Sequence, residues 1–566
     1  MKKYAIGLDF GTNSCRSLIV DLEDGKELAD YVFPYPSGDE GILLDSRDPN
    51  LARQNPQDYI PAIEVTITKA VKEAQKKYHD FTPENIIGIG IDTTGSSPMP
   101  LNKEGIPLAL LPEFKNNLNA MIWLWKDHTS YAEAAQITEL ARNMRPQYLA
   151  KVGGTYSSEW FWSKILHCKN VDRRVFDAAY SFVEICDYIP ALLTGDANPE
   201  KMMRSVCAAG HKAMYNDGWG GLPDEEFLNA LAPGLGALRR RLYDKAVPSD
   251  QLAGFLSKKW AQKLGLPEGV AIAVGAFDAH MGAVGAGVKK GTLVKILGTS
   301  TCDVMVWPNQ EELRDIEGVC GIVDGSVVPE YFGIEAGQSA VGDIFLWFVN
   351  HLVPDKYGKT IDEKFKNIET AAAKQKPGEH GLLALDWNNG NRTILVDVRL
   401  TGLLLGQTLH TEAPEIYRAL IEATAFGALT IINRIAEYGV PVNDIVNCGG
   451  LAAKMPLLMQ IYADVTGRPM KISRSDQTPA LGAAIFGAIA AGKEKSGYEN
   501  VEQAQETMTG IKEVFNPIPE NHEIYKDLYA LYSQLHDAFG TQQWSGKLYN
   551  VMKDLLAIRD RQRRIE

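Results

Sequence analysis

The sequence predicts an α/β protein built from two copies of one domain. Two segments carry this prediction, FGTNSCRSLIV at residues 10–20 and LGTSTCDVMVW at 297–307. Both place Gly, Thr and Cys at matching offsets and then continue as an apolar strand. Each begins one half of a 566-residue chain, which is too long for a single hydrophobic core. A fold used twice explains both observations.

The first half opens with strands and then adds a helix. Short apolar runs predict strands at 4–9, 16–21 and 28–33. Apolar residues recur with helical spacing at 57–79, which predicts a helix there. The segment IIGIGIDTTGSSP at 86–98 reads as a further apolar strand that runs into a Gly-Ser turn.

The end of the first half is marked by a change of pattern. Residues 119–168 are rich in aromatic side chains and helical in pattern, and an apolar strand opens the segment 270–288. The strand-turn-strand pattern restarts after the basic pair Lys289–Lys290. We therefore expect a first domain at 1–287 and a second at 288–566.

The second half repeats the order of the first. After the strand-turn-strand at 291–307, helices are predicted at 412–437 and 455–466. Between them, IVNCGGLAAK at 445–454 resembles the 86–98 segment, because an apolar strand again opens into a glycine turn. The tail from about 520 to 566 is charged and helical in pattern.

Composition and charge exclude several classes of function. The net charge of −13 argues against a nucleic-acid or anionic-membrane surface, since both need a basic face. The seven cysteines include no C-x-x-C pair, which is typical of a reducing compartment and spells out no zinc site. Asp9 interrupts the N-terminal apolar run, and no apolar run is long enough to span a bilayer. We expect a cytoplasmic protein with no membrane or nucleic-acid partner.

Asp9 ends the first strand beside a turn formed by Gly11, Thr12 and Asn13. Glycine permits a tight turn, and the backbone N–H groups of such a turn can point at a phosphate. Mg²⁺ takes only one or two carboxylates and keeps most of its waters, so one strand-end Asp is sufficient for it. A plain hairpin in which Asp9 bonds its own turn explains the pattern equally well.

Three further elements fit a phosphoryl-transfer site. Gly298 and Thr299 form a second turn, and the two turns together could hold a polyphosphate from both sides. Gly449–Gly450 lies at a strand end before a helix, where the backbone can approach a ring or a phosphate closely. Asp278 follows an apolar strand at the inferred domain crossing and could accept the proton of an attacking hydroxyl. A helix N-cap explains Asp278 at least as well.

The ordered set DFGTNS, DTTGSS, FDAH, LGTST and CGGLAAK resembles the FGGY family of carbohydrate kinases over nearly the whole chain. The resemblance implies two ribonuclease-H-like domains of the actin-like ATPase type, which flank a cleft for ATP and sugar. The longer segments at 157–167, 209–216 and 333–347 are similar to the ribulokinase branch of that family. They imply Mg²⁺-dependent transfer from ATP to L-ribulose or a related ketopentose, as in L-arabinose catabolism, by a homodimer.

The resemblance also implies a role for each matching residue. Asp278 matches the base that deprotonates the sugar hydroxyl, and Asp9 matches the acid that positions Mg²⁺. The implied ATP-binding residues are Gly11, Thr12, Asn13, Gly298, Thr299, Gly449, Gly450 and Lys454. The implied sugar-binding residues are Ser96, Trp125, Asp127, Lys212, Asp278 and Glu335.

Two alternatives stay open. Another kinase of the same family would act on D-ribulose, xylulose or ribitol, although residues 95–97 lack the Gln-Met-His run of xylulose kinases. A nucleotide-switched interaction protein, such as actin or an actin-like chaperone, shares the two phosphate turns but has no sugar acceptor. The aromatic-rich 119–168 region and Asp278 favour the kinase.

Overall fold

Two seven-stranded sheets form the framework of the chain in a computed structural model that describes residues 2–563. The strands of the first sheet are Tyr4–Phe10, Ser14–Asp21, Glu27–Pro34, Ile86–Thr93, Leu252–Phe255, Ala271–Ala273 and Ala276–Phe277. The strands of the second are Thr292–Leu297, Thr301–Pro308, Gly321–Asp324, Tyr331–Ala336, Asp444–Cys448, Met470–Ser473 and Ile511–Phe515. Smaller sheets use Leu43–Asp45, Asp48–Gln54 and Ile122–Trp123, then Pro98–Leu101 with Ser181–Glu184, and Leu383–Leu385 with Leu403–Leu405.

Helices cover the faces of both sheets and build the region between them. Those of the first half are Tyr59–Lys77, Tyr131–Met144, Gln147–Ala150, Phe161–Val171, Arg173–Ala178, Ile185–Thr194, Val206–Lys212, Glu225–Leu231, Leu235–Arg239, Lys258–Leu264 and Asp278–Gly285. Those of the second half are Gly342–Leu352, Ile361–Ala372, Ala413–Glu437, Gly450–Lys454, Pro456–Thr466, Thr478–Ala490, Lys493–Ser496, Val501–Met508, Pro519–Gly540 and Val551–Arg563. The last three residues of the predicted helical tail, 564–566, lie outside the described part of the chain.

The two sheets share one topology, which confirms the predicted duplication. In the first sheet, Tyr4–Phe10 pairs antiparallel with Ser14–Asp21 and parallel with Ile86–Thr93. In the second sheet, Thr292–Leu297 makes the same two kinds of pairing, antiparallel with Thr301–Pro308 and parallel with Asp444–Cys448. The turn after the first strand of each domain therefore lies beside the end of the parallel neighbour.

The predicted elements match the structure best where the apolar pattern is long. The helix predicted at 57–79 is Tyr59–Lys77, and the one predicted at 412–437 is Ala413–Glu437. The second of these is long and apolar enough to cross a membrane, but 67% of its most apolar stretch is buried inside the protein. The helical prediction for 119–168 holds in part: the helices Tyr131–Met144 and Phe161–Val171 confirm it, whereas the remainder has helical turns of four residues or fewer and the strand Ile122–Trp123.

Glycines in the first sheet allow a helix of the second half to lie directly on it. The helix Thr478–Ala490 crosses the strands Tyr4–Phe10 and Ile86–Thr93. A Cβ atom on Gly7 would lie 1.7 Å from the carbonyl oxygen of Ala480, and one on Gly90 would lie 1.7 Å from that of Ala483. Because side chains alternate along a strand, Ile89 and Ile91 lie in the core beneath the helix Tyr59–Lys77, and Gly90 between them faces the helix Thr478–Ala490.

Gly90→Ala is expected to destabilise this contact by about 1–3 kcal/mol, because the added methyl group meets backbone that cannot rotate away. Urea unfolding would show the loss as a lower midpoint with an unchanged slope. Gly282→Ala is the matched control, because its Cβ would meet only side-chain atoms at 3.6 Å or more. Equal midpoints for the two variants would contradict the close-packing argument.

Candidate active site

Three carboxylates meet at one edge of the first sheet. Asp9 and Asp92 pair in register on neighbouring parallel strands, and Asp92 also pairs with Ala276, two residues before Asp278. Burial raises the pKa of Asp9, and burial with the charges of Asp9 and Asp278 raises that of Asp92 well above its usual value. Burial and the charge of Asp9 raise the pKa of Asp278 to about 7. The three groups therefore form one electrostatic cluster.

Asp92 was not predicted as a site residue. Its signal is present in the sequence, because it ends a buried strand before a Gly-Ser turn, as Asp9 ends its own strand before a glycine turn. The side chain is fully buried, and within residues 2–563 no N–H or hydroxyl group donates to its oxygens, so that its hydrogen-bonding contact is with the neighbouring acid Asp9. A buried, oxygen-only donor set of this kind suits Mg²⁺.

Asp278 is the first residue of the helix Asp278–Gly285 and is partly exposed. Its Oδ1 accepts the backbone N–H of Ala279 at 2.7 Å, which leaves Oδ2 available to another partner. Glu335 and Lys212 also act electrostatically on Asp278. Asp278 is thus influenced both by Asp9 of the carboxylate cluster and by two residues predicted to bind the sugar.

Hydrogen bonds to other parts of the chain hold the turn of the first hairpin in place. Thr12 receives two hydrogen bonds, one on Oγ1 from Trp125 Nε1 at 3.0 Å and one on its carbonyl oxygen from Gln54 Nε2 at 2.6 Å. Asn13 donates through Nδ2 to the carbonyl oxygen of Glu40 at 2.8 Å. Trp125, predicted as a sugar contact, therefore also fixes the turn that was predicted to bind phosphate.

The second hairpin turn is held by the start of the helix Gly342–Leu352. The carbonyl oxygens of Gly298 and Thr299 accept the N–H groups of Gly342 and Val341 at 3.1 and 2.8 Å. Gly449 has a φ of 91°, and a Cβ there would lie 2.4 Å from the carbonyl oxygen of Leu297, so only glycine fits beside this turn.

Two further residues predicted to bind ATP lie just beyond Gly449. Gly450 opens a helix of five residues, Gly450–Lys454, and a Cβ on Gly450 would meet nothing within 4 Å. Lys454 ends that helix and is exposed. The backbone at Gly450 is therefore open to a ligand, next to the second turn.

A cavity of about 620 Å³ joins several predicted residues of both halves. Trp125 and Lys212 line it from the first half, and Thr299 and Glu335 line it from the second. Arg392, which the sequence did not single out, also lines it and donates from Nη2 to the carbonyl oxygen of Thr301 at 2.6 Å. The structure thus brings three of the six predicted sugar residues and one residue of the second turn together in one space, whereas Ser96, Asp127 and Asp278 do not line it.

Lys212 and Glu335 form a buried ion pair across the two halves. Lys212 Nζ lies 2.9 Å from Oε1 and 3.2 Å from Oε2 of Glu335, and it faces the rings of Trp160 and Phe277. Burial alone would raise the pKa of Glu335, but the charge of Lys212 outweighs it and holds that pKa well below its usual value. Both groups are therefore ionised, with polar atoms directed at the cavity.

His211 and His280 pack beside this pair, and their side chains with Glu335 could form a metal-binding group. His211 Nδ1 lies 3.4 Å and His280 Nε2 lies 3.5 Å from Glu335 Oε2. The ammonium group of Lys212 already contacts both oxygens of Glu335. A cation at this point would meet that positive charge, which disfavours a metal ion here.

Ser96 and Asp127 bind other protein groups and do not line the cavity. Ser96 is fully buried, its Oγ donates to Glu184, and its carbonyl oxygen accepts from Lys164 Nζ at 2.7 Å. Asp127 is also fully buried and binds Arg53 and the N–H of Ala52. Lys164 and Glu184 were not predicted, because helical patterning alone does not show which buried charged residues face the 95–97 turn.

Comparison with known proteins identifies the family of the chain. The N-terminal domain of the FGGY family of carbohydrate kinases matches residues 4–285, and the C-terminal domain of that family matches residues 293–491. The chain is 43% identical to the ribulokinase of Vibrio parahaemolyticus, covering 94% of this chain and 95% of that protein. It is 44% identical to the ribulokinase of Shouchella clausii, with 99% of each chain covered.

Solved structures share the fold at low sequence identity. The xylulose kinase of Rhodospirillum rubrum matches with a TM-score of 0.73 and 21% identity, covering 95% of this chain and 100% of that one. The Plasmodium falciparum glycerol kinase with ADP matches with a TM-score of 0.75 and 15% identity, covering 96% and 99%. These likenesses confirm the predicted duplicated fold of the actin-like type. The two matched domains and the identity to the two ribulokinases over nearly the whole chain show that the chain belongs to the FGGY family of carbohydrate kinases.

Proposed function

We propose that the chain is a ribulokinase that transfers the γ-phosphoryl group of ATP to the terminal hydroxyl of L-ribulose and yields ribulose 5-phosphate. The observation that carries the proposal is the cavity in which the Lys212–Glu335 pair and the second phosphate turn meet. The relatives named ribulokinase support the choice of sugar, because their similarity extends over nearly the whole chain. A ketopentose has several hydroxyl groups, and an ion pair offers both donors and acceptors to them.

In this proposal, Lys212 and Glu335 hold the sugar hydroxyls while Asp278 accepts the proton of the reacting one. The hydroxyl oxygen then forms a bond to the γ-phosphorus, and the bond from that phosphorus to the β,γ-bridging oxygen breaks, so ADP leaves. The protein contributes positioning and charge stabilisation more than covalent chemistry. Trp125 keeps the first turn in place through its bond to Thr12.

The phosphate chain of ATP is assigned to the two hairpin turns at Gly11–Asn13 and Gly298–Thr299. Gly449, Gly450 and Lys454 are assigned to the adenosine end, where the backbone of Gly450 is open. Asp9 is assigned to Mg²⁺, and the oxygen-only cluster around it fits that ion. Mg²⁺ supplies charge neutralisation of the phosphates when it is bound.

The proposal includes the domain boundary near 287–288 and closure of the two halves on the substrates, which would exclude water and limit ATP hydrolysis. A homodimer and a cytoplasmic location remain predictions. Light scattering after size-exclusion chromatography tests the first, and fractionation of the source cells tests the second.

A coupled assay of ADP release with L-ribulose, D-ribulose, D-xylulose and ribitol tests the proposal. We expect strong stimulation by L-ribulose, a lower kcat/KM for the other three, and little ATP hydrolysis without sugar. A preference for another sugar would reassign the substrate within the family. ADP release that no sugar stimulates would favour the nucleotide-switched alternative.

A further inference from the structure

Asp92 is a buried charged group that the proposed mechanism does not use. It lies in register with Asp9 on the adjacent strand, and the electrostatic influence of Asp278 reaches it as well. Its side chain is fully buried, no N–H or hydroxyl group of the described chain donates to either oxygen, and its hydrogen-bonding contact is with another acid, Asp9. A polar group left in this condition is destabilising unless a ligand completes its surroundings.

The charges around Asp92 do not balance within the protein. Asp9, Asp92 and Asp278 are three acids, and Arg16 is the basic side chain that acts on both Asp9 and Asp92. The Arg16 side chain donates to Gln477 and not to a carboxylate of the cluster. Ionisation of all three acids would leave the group with two negative charges in excess, and a bound divalent cation would favour that ionisation and neutralise the excess.

We propose that Asp92 is a second carboxylate of the divalent-cation site and holds the metal and its waters together with Asp9. The inference rests on the proposed function, because phosphoryl transfer from ATP provides the reason for a cation there. It goes beyond that function by assigning to the cation site a residue, Asp92, for which the proposed reaction gives no role. Asp92 is a positioning residue, since it supports the cation from the buried side while Asp278 faces the sugar.

The chain offers a conservative test in Asp92→Asn, which keeps the shape of the side chain and removes its charge. Asp58→Asn is the matched control, because Asp58 is a buried acid of the same domain whose oxygens bind Ser37 and not the cluster. Mn²⁺ serves as the probe, and electron paramagnetic resonance measures free Mn²⁺ during titration of each protein with ATP present.

We expect Asp92→Asn to weaken Mn²⁺ binding roughly 10- to 100-fold, the range seen when groups that support a metal are removed. We expect Asp58→Asn to bind Mn²⁺ as the original protein does. Thermal unfolding provides a second readout: added Mn²⁺ should raise the midpoint of the original protein and of Asp58→Asn, and much less that of Asp92→Asn. Without metal, Asp92→Asn should be about as stable as the original protein, because asparagine keeps the shape of the buried side chain.

Unchanged Mn²⁺ affinity in Asp92→Asn would overturn the inference, and so would the absence of Mn²⁺ binding by the original protein with ATP present. These outcomes are distinct from failure of the proposed function. A protein that phosphorylates L-ribulose while Asp92→Asn binds Mn²⁺ normally refutes only the role of Asp92. A protein that shows the Asp92-dependent affinity but phosphorylates no ketopentose refutes only the proposed reaction.

Discussion

Asp278→Asn is expected to lose sugar phosphorylation by roughly 100- to 10,000-fold while the fold and ATP binding remain intact, because an amide cannot accept the proton of the attacking hydroxyl. Asparagine keeps the oxygen that receives the N–H of Ala279, so the start of the helix Asp278–Gly285 should be unchanged. The measurement is kcat for L-ribulose in the coupled assay, with ATP binding followed by calorimetry.

The position of Asp278 explains why the effect should fall on kcat. Burial and the charge of Asp9 raise its pKa to about 7, and a general base is most effective when its pKa lies near the working pH. A bound cation would lower that pKa and keep the carboxylate ionised at neutral pH.

Asp58→Asn again serves as the control and should keep its turnover. Turnover near that of the original protein in a folded Asp278→Asn variant would remove Asp278 from the mechanism.

Local patterns were sufficient to predict the framework of the site. A strand, a glycine turn and a second strand are contiguous in sequence, so both hairpins could be read directly, and the repeat predicted the duplication. The end of the strand Ile86–Thr93 could also be placed, because the apolar run stops at Asp92. Its register against Tyr4–Phe10 could not, since pairing between distant strands depends on tertiary packing. The role of Asp92 therefore became visible only in three dimensions.

Side-chain direction was the other limit of the sequence. Asp127 follows Trp125 by two residues, and the resemblance placed both at the sugar. The structure directs Trp125 to the cavity and Asp127 inward, where Arg53 stacks on Trp123 at 3.5 Å and pairs with the Asp127 carboxylate. Asp127 and Arg53 are more than 70 residues apart in the chain, so no local sequence pattern predicts their contact.

Glu335→Leu is expected to destabilise the folded protein by about 3–5 kcal/mol and to abolish use of the sugar, because it leaves the Lys212 ammonium buried without its partner. The rings of Trp160 and Phe277 at 5.5 and 5.8 Å from Lys212 Nζ would offset part of that loss. Urea unfolding measures the stability, and the coupled assay measures kcat/KM for L-ribulose.

The double variant Lys212→Met/Glu335→Leu separates a structural role from a binding role. Replacing a buried ion pair by apolar groups of similar size is often neutral for stability, so the double variant should regain most of the free energy of unfolding that Glu335→Leu lost. It should regain none of the sugar phosphorylation, because neither donors nor acceptors remain for the hydroxyl groups. ATP hydrolysis without sugar should stay near its original level in both variants. If the double variant phosphorylates L-ribulose at close to the original kcat/KM, the pair only joins the two halves, and the sugar must be held by other residues of the cavity.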